Sequence, residues 1–376
     1  MNLWGVLMKE AWITLDDLDA LALGATVLGS GGGGSPHYDL VIAKQQLKEH
    51  GPVRLISVDD IPSDSWVLPV YWVGAPMVLL EKPHSGKEFE IIVEKMQELI
   101  PGKVSGLMSA EIGGTNALTP VSAAGALGLP VLDGDLMGRA FPFFYMSTCG
   151  LYDVKPSPGV IVDTSTDASV VVNTKTSLEM DRLLRILATA MGSCAALSSH
   201  PLSQLVAQKV VIRGTVKRAL QLGRCMQRAI DDRLDLAKIV LESCGGCLVA
   251  SGYISDVEYR FESAIQYGYV VVTADAKHFT IYFQNEFLAI VPHKASVPLE
   301  ETTPLATTPD IIVVIEVETG QPLSTEKLRH GLRVQVLVLP PPTIWTSPEG
   351  LCLVGPKEFG FPWDYKPKVD VCQSIA

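Results

Sequence analysis

Between Lys87 and Pro101-Gly102, apolar residues recur at three- and four-residue spacing: Phe89, Ile92, Val93, Met96, Leu99 and Ile100. That period predicts a helix with one buried face. An earlier helix is expected from about Asp17, where Leu18, Leu21, Ala22, Ala25 and Leu28 share a face. Thr14-Leu15-Asp16-Asp17 supplies its start, because Asp17 can reach back to the cap. A second stretch runs from Pro36 to about His50, and a third opens at Gly113-Gly114 and ends near Leu127. Short β-branched or aromatic runs at 53–58, 66–73, 104–108, 131–132 and 159–163 alternate with these helices. The alternation predicts an α/β N-terminal domain, residues 1–172, with a Rossmann-like layered sheet.

After about Val172 the pattern changes. Helices near 178–196 and 215–230 lead into runs at 267–274, 278–283, 287–291, 310–317 and 333–339. Close-set short strands predict a mainly β C-terminal domain, residues 173–376, entered through helices.

The chain has 376 residues, 47% of them hydrophobic, and a formal charge of −11. Two apolar interiors fit that length, and the composition excludes a disordered chain. The acidic balance argues against a nucleic-acid partner. Six basic residues without an intervening acid, Lys209, Arg213, Lys217, Arg218, Arg224 and Arg228, form a local patch expected to be a solvated helix face. Contact with an acidic partner subunit is the alternative, and a homo-oligomer is the expected state. The uncharged stretch 186–208 is long enough to raise a membrane span, but its serines, glutamines, His200 and Pro201 oppose one, and a buried helix followed by a turn is expected. Met1-Asn2-Leu3-Trp4 lacks the basic start of a secretory signal, so a cytoplasmic address is expected. The seven cysteines show no disulfide spacing, which favours a reducing compartment. Cys244-Gly245-Gly246-Cys247 has no second close pair to complete a zinc site, so a glycine turn with buried thiols is expected.

Two segments carry candidate chemistry. Gly29-Ser30-Gly31-Gly32-Gly33-Gly34-Ser35-Pro36 exposes main-chain N–H groups at the start of a helix, which suits an anion or a ligand carbonyl. It satisfies G-x-G-x-x-G but follows a helix instead of a strand, which disfavours a dinucleotide. Gly31, Gly32, Gly33 and Gly34 are expected to contact ligand, and a flexible connector is the alternative. His37 just beyond could carry a proton or cap the helix.

The second segment is Ser109-Ala110-Glu111-Ile112-Gly113-Gly114-Thr115-Asn116, at the end of a strand. Open α/β sheets bind ligands at such ends, which nominates Glu111, Asn116 and the Gly113 and Gly114 amides. Asp133-Gly134-Asp135 ends another strand, with Arg139 four residues on. On parallel neighbours Glu111, Asp133 and Asp135 would converge on one crevice, with Arg139 as counter-charge. Crowded carboxylates tune a general acid or base near neutrality, or they could hold a divalent metal such as Mg²⁺. The alternative is that the aspartates cap helices and pair with Arg139 structurally. Gly74-Ala75-Pro76 is placed on the same face, whereas Glu81-Lys82-Pro83 suggests a surface pair. Ser324-Thr325-Glu326-Lys327 matches Ser-x-x-Lys but is expected to cap a helix.

Taken together, Gly-Ser-Gly-Gly-Gly-Gly-Ser-Pro at 29–36, Gly-Ala-Pro at 74–76, Glu-Lys-Pro at 81–83, Glu-Ile-Gly-Gly-Thr-Asn-Ala at 111–117 and Asp-Gly-Asp-Leu-Met-Gly-Arg-Ala-Phe-Pro at 133–142 resemble the S-methyl thiohydantoin desulfurase family. The likeness extends to Asn285-Glu286, Pro309-Asp310 and 355–360, so it covers nearly the whole chain; Cys244 and Cys247 stand outside it. The resemblance implies two domains with a cleft between them and a cyclic amide or thioamide substrate. It also implies an S-methyl thiohydantoin that loses methanethiol to water and leaves a hydantoin. Such chemistry needs a base for water, donors for developing charge and an acid for the thiolate. Glu111 or Asp135 is expected as base, with the other orienting a ring N–H. Gly32, Gly33, Gly113, Gly114 and Asn116 are expected as donors, and Arg139 is expected to hold a carboxylate or ring oxygen. The alternatives are a non-catalytic ligand-binding subunit partnering a hydantoinase or oxoprolinase, and a metal-dependent cyclic amidohydrolase.

Overall fold

The structure, a computed structural model, describes residues 11–74, 76–82, 84–262, 265–293 and 297–367. Met1 to Trp4, Ala75 and Pro83 therefore lie outside the described residues. The first layer is a mixed sheet whose centre is parallel. Strands Val53–Ile56, Val131–Leu132, Lys103–Ser109 and Ser65–Gly74 lie side by side in that order. Their residues are buried on both faces, as parallel strands covered by helices must be. Helices Leu18–Leu28, His37–His50, Glu88–Leu99 and Thr119–Leu127 cover one face, and Ser177–Ala190 and Gln204–Val210 cover the other. At the start of the first, Asp17 accepts hydrogen bonds from Thr14 N at 2.9 Å and Thr14 Oγ1 at 2.8 Å, the expected reach-back.

The second layer is a seven-stranded antiparallel sheet, built mainly from Cys247–Glu262, Ile265–Ala274, Lys277–Gln284, Glu286–Pro292, Ile311–Glu316 and Arg333–Leu339. The protein is thus an α/β layer joined to a mainly β domain that is entered through helices.

Three expectations need correction. The helix placed at 178–196 spans Ser177–Ala190, because Gly192 (φ 90°) and Ser193 (φ 67°) turn the chain out of it. Cys194–Ser198 then forms a strand between Ser65–Gly74 and Gly159–Asp163, so the chain re-enters the first sheet beyond residue 172. Cys194 to Ser198 are all buried, a run with no period to tell strand from helix. Cys244 and Cys247 are not two buried thiols: Cys244 is a half-buried free thiol, whereas Cys247 is held in a disulfide. Ser324 caps no helix with its side chain; Thr325–Lys327 is a single 3₁₀ turn, and Ser324 Oγ donates to Glu326 Oε1 at 2.7 Å.

The basic helix Thr215–Asp231 buries Val216, Ala219, Leu220 and Met226 against Leu18–Leu28 and keeps its cations outside. Arg213 pairs with Asp59 at 2.7 Å, Lys217 with Asp133 at 3.2 Å and Arg224 with Asp17. Among the described residues no helix is long and apolar enough to cross a membrane.

The two helices cross where neither carries a side chain. A Cβ on Gly24 would lie 1.9 Å from Ala219 O, and one on Gly223 would lie 1.7 Å from Ala20 O. Gly24→Ala should therefore cost about 1–3 kcal/mol by forcing the helices apart. Denaturant unfolding of the variant would show a lower midpoint, and an unchanged midpoint would refute the crossing.

Candidate active site

Strand Lys103–Ser109 ends in a turn knotted by its own last side chain. Ser109 Oγ donates to Asn116 O at 2.8 Å and to Glu111 O, which curls 110–116 back on itself. Asn116 Nδ2 then donates to Glu111 Oε1 at 2.7 Å while its Oδ1 accepts from Trp72 N at 2.9 Å. One amide thus orients the Glu111 carboxyl from the neighbouring strand.

The glycine loop meets this turn main chain to main chain. A Cβ on Gly33 (φ 76°) would lie 2.4 Å from Gly113 O, and Thr115 N donates to Gly33 O at 2.9 Å. On its other side the loop meets the second domain. A Cβ on Gly32 would lie 2.1 Å from Glu286 Oε1, while Phe287 N donates to Ser30 O at 2.7 Å and Thr325 N to Gly31 O at 2.8 Å. The loop is a three-way junction, which explains why side chains are missing from it.

A cleft with about 800 Å³ of space outside the protein atoms, part of it open to solvent, lies at the junction. Glu111, Asn116, Gly33, Gly34, Tyr71 and Glu286 line it. Glu111 and Glu286 come from different domains, and both are almost completely buried. Burial raises the proton affinity of Glu111, the Asn116 hydrogen bond opposes this, and the nearby Asp135 adds to it, leaving its pKa at about 7. Glu286 is pushed well above the usual carboxylate range, first by burial and then by the charge of Glu111. Its Oε2 has no hydrogen-bond partner among the described residues.

The other nominated residues take different places. Asp135 is sealed behind the wall, where one oxygen accepts from Ile112 N at 2.9 Å, Met137 N at 3.1 Å and Gly138 N at 2.7 Å. It shapes the turn instead of facing the cleft, although burial still lifts its pKa to about 6. Asp133 does not converge at all. It accepts from Lys217 N at 3.1 Å and pairs with the Lys217 ammonium, capping a helix. Glu111, Asp133 and Asp135 therefore cannot share a cation, and no three His, Cys, Asp or Glu side chains among the described residues are placed to do so.

Arg139 is fully buried and holds the domains together. It donates to Ala140 O at 2.9 Å, Pro309 O at 3.0 Å, Asp310 O at 2.6 Å and Phe287 O at 3.3 Å. Its donors are turned to main-chain carbonyls, so the expected grip on a ligand oxygen is not what its geometry offers. Burial lowers its pKa to about 10, against the opposing pull of Glu286, Asp310 and Glu111. Gly31 packs on the Phe287 ring, and Gly113 and Gly114 buttress the glycine loop from behind. His37 is exposed at a separate cleft lined with Asp19 and Lys327. Lys82 is no surface partner of Glu81, since its ammonium donates to Met191 O at 2.7 Å. Gly74 does line the cleft.

Sequence reasoning gave no site role to Glu286, Tyr71, Asp181 or Arg185, all of which line the cleft. Asp181 and Arg185 are joined at 3.0 Å across one helical turn, and that i,i+4 spacing was the available signal.

Two family models tile the chain: one described as S-Me-THD-like, N-terminal domain, matches residues 16–174, and one described as S-Me-THD-like, C-terminal domain, matches 175–368. Among solved structures, a crystal structure of a protein from Chromobacterium violaceum superposes with a TM-score of 0.77 at 23% identity. The match covers 95% of this chain and 100% of that one, and it shows the shared fold. The comparison with curated proteins found no match.

Replacing Arg139 by Met would strand four carbonyls and deprive Glu286 of the cation that acts on it most strongly. The expected loss is about 3–5 kcal/mol, the cost of breaking a buried charged contact from one side. Calorimetric unfolding would measure it, and a loss below about 1 kcal/mol would show that Arg139 is not the staple.

Proposed function

The chain belongs to the S-methyl thiohydantoin desulfurase-like family, and from that premise we propose that it hydrolyses S-methyl thiohydantoin-type rings, releasing methanethiol and leaving the hydantoin. The observation that carries this reading is the Glu111–Glu286 pair: two buried carboxyls from two domains, both held toward protonation, on the wall of one cleft. Groups whose environments set their proton affinities apart divide into acid and base. Glu111, with the lower affinity, serves as the base; Glu286, with the higher, carries the proton.

In this mechanism water attacks the ring carbon that bears sulfur, and Glu111 removes a water proton. Glu286 gives its proton to the ring nitrogen, so the carbon–nitrogen double bond becomes a single bond to N–H. As the carbon–sulfur bond breaks with its electron pair on sulfur, the adduct hydroxyl returns a proton to Glu286 and becomes the carbonyl of the product; the thiolate takes up a proton to leave as methanethiol, and Glu111 sheds the water proton to solvent as product departs. Asn116 fixes the direction of the Glu111 carboxyl. The N–H groups of Gly33 and Gly34 border the same space and have no main-chain acceptor among the described residues. They suit the charge that develops on the ring.

Glu111→Gln should lower kcat by about a hundredfold or more without unfolding the protein. A loss within about tenfold would remove Glu111 from the base role. Because Glu111 must be ionised to act and its pKa lies near 7, kcat/KM should fall as pH drops below about 7, by about tenfold per unit. A rate that stays level down to the ordinary carboxylate range would contradict the assignment. Hydantoin binding without any methanethiol release would instead favour a non-catalytic ligand-binding subunit.

A further inference from the structure

Behind the cleft wall runs a chain of hydrogen bonds that the mechanism above does not use. Tyr71, which lines the cleft, shares a hydrogen bond of 3.0 Å with Ser199 Oγ. Ser199 Oγ lies 2.9 Å from His200 Nδ1, and His200 Nε2 lies 2.9 Å from Ser177 Oγ. Ser199 and His200 are fully buried, whereas Ser177 opens the helix Ser177–Ala190 and keeps 9% of its surface. Each member of this row, two serine hydroxyls, a phenol and an imidazole, can both donate and accept. Its polarity can therefore reverse from end to end without leaving a charge inside the protein.

Packing holds the row in line. The Phe144 ring stacks on Tyr71 at 4.8 Å and lies against His200 at 4.8 Å, clamping both. His200 keeps a left-handed backbone (φ 53°), a conformation that persists only where its surroundings impose it, and its N–H donates to Pro156 O at 3.0 Å. Burial lowers the imidazole pKa to about 3, so the ring stays neutral and passes a proton instead of storing one. The charges that act on Tyr71 are those of Asp181 and Arg185, which already pair with each other.

We infer that Tyr71, Ser199, His200 and Ser177 form a proton relay that carries a proton from the start of helix Ser177–Ala190 to the group leaving the substrate in the cleft. The inference rests on the hydrolytic reading of the cleft. When the carbon–sulfur bond breaks, sulfur takes the Tyr71 proton. Tyr71 is recharged from Ser199, Ser199 from His200 Nδ1, His200 Nε2 from Ser177, and Ser177 from solvent; between turnovers the hydroxyls rotate and the His200 ring turns over, which restores the starting Nδ1–H form. The proton that Glu111 took from water returns to solvent as product leaves, so ring and water enter and hydantoin and methanethiol depart in balance. Tyr71 is the catalytic residue of the row, and the other three position and supply it.

Two measurements on the full chain separate the relay from the reaction. In ¹⁵N-histidine-labelled protein, the His200 ring should remain neutral between about pH 5 and 8, the range where a free histidine would titrate. Its Nδ1/Nε2 tautomer ratio should shift in Tyr71→Phe and on adding hydantoin. A ratio untouched by Tyr71→Phe overturns the relay whether or not the protein turns over. In turnover, Ser199→Ala should lower kcat by about a hundredfold with KM unchanged and should change the solvent deuterium isotope effect. Ser177→Ala, at the far end of the row, should act in the same direction. Unaltered kcat and isotope effect in a folded Ser177→Ala variant would also overturn it. Failure of the wild type to release methanethiol would count against the reaction, while the tautomer ratio still decides the relay.

Discussion

The contact on which the site depends is the approach of one main chain to another at Gly33 and Gly113, closer than any side chain allows. From that junction the glycine loop also touches Glu286, exchanges hydrogen bonds with Phe287 and Ile312 of the second sheet, and accepts one from Thr325 in the turn 325–327. The α/β layer and the β layer therefore share a seam one backbone thick, and the cleft is the space the seam leaves open. Arg139 fills the adjoining interior and converts carbonyl oxygens of the second domain into partners of the first. Without a cation there, the two buried carboxyls would lose the opposite charge that offsets their desolvation.

Three acidic residues of similar sequence setting are thus sorted by their surroundings. Asp135 accepts three main-chain N–H groups and works as a rigid corner. Asp133, a strand-end residue like it, faces a lysine and the first turn of a helix. Glu111 is left with the Asn116 amide, the Phe141 main chain and an open wall, a setting that leaves its proton affinity high. The longer side chain matters: Glu111 reaches past its own turn, whereas the aspartates bond close to the backbone that carries them.

Much of the fold was legible because its signals are local. The period of Phe89 to Ile100 and the capping sequence before Leu18 each fit their element to within a residue or two. Cys194 to Ser198 was misread because a fully buried strand has no alternation, and only Gly192 and Ser193 mark where the helix ends. The cleft was half legible. Glu111, Asn116, Gly33 and Gly34 sit beside glycine-rich turns at a strand end or helix start, where main-chain chemistry announces itself. Glu286 and Tyr71 carry no such mark. Tyr71 is one aromatic among several in a buried strand, and Glu286 looks like a hairpin residue until the first domain is placed against it. Arg139 was noticed for its charge, but its role depends on carbonyls far away in the chain, which no spacing encodes.

The hairpin that ends at Asn285 has a consequence for how the molecule can be cut. Asn285 turns in the left-handed region and locks onto Gln266 through N–H and carbonyl contacts on both sides. It thereby delivers Glu286 on a strand that belongs wholly to the second sheet. Neither half of the polypeptide, separated at the family boundary near residue 174, contains both carboxyls. Chemistry that needs the pair belongs to the joined molecule alone, and mixing the two fragments could restore it only by rebuilding the glycine seam.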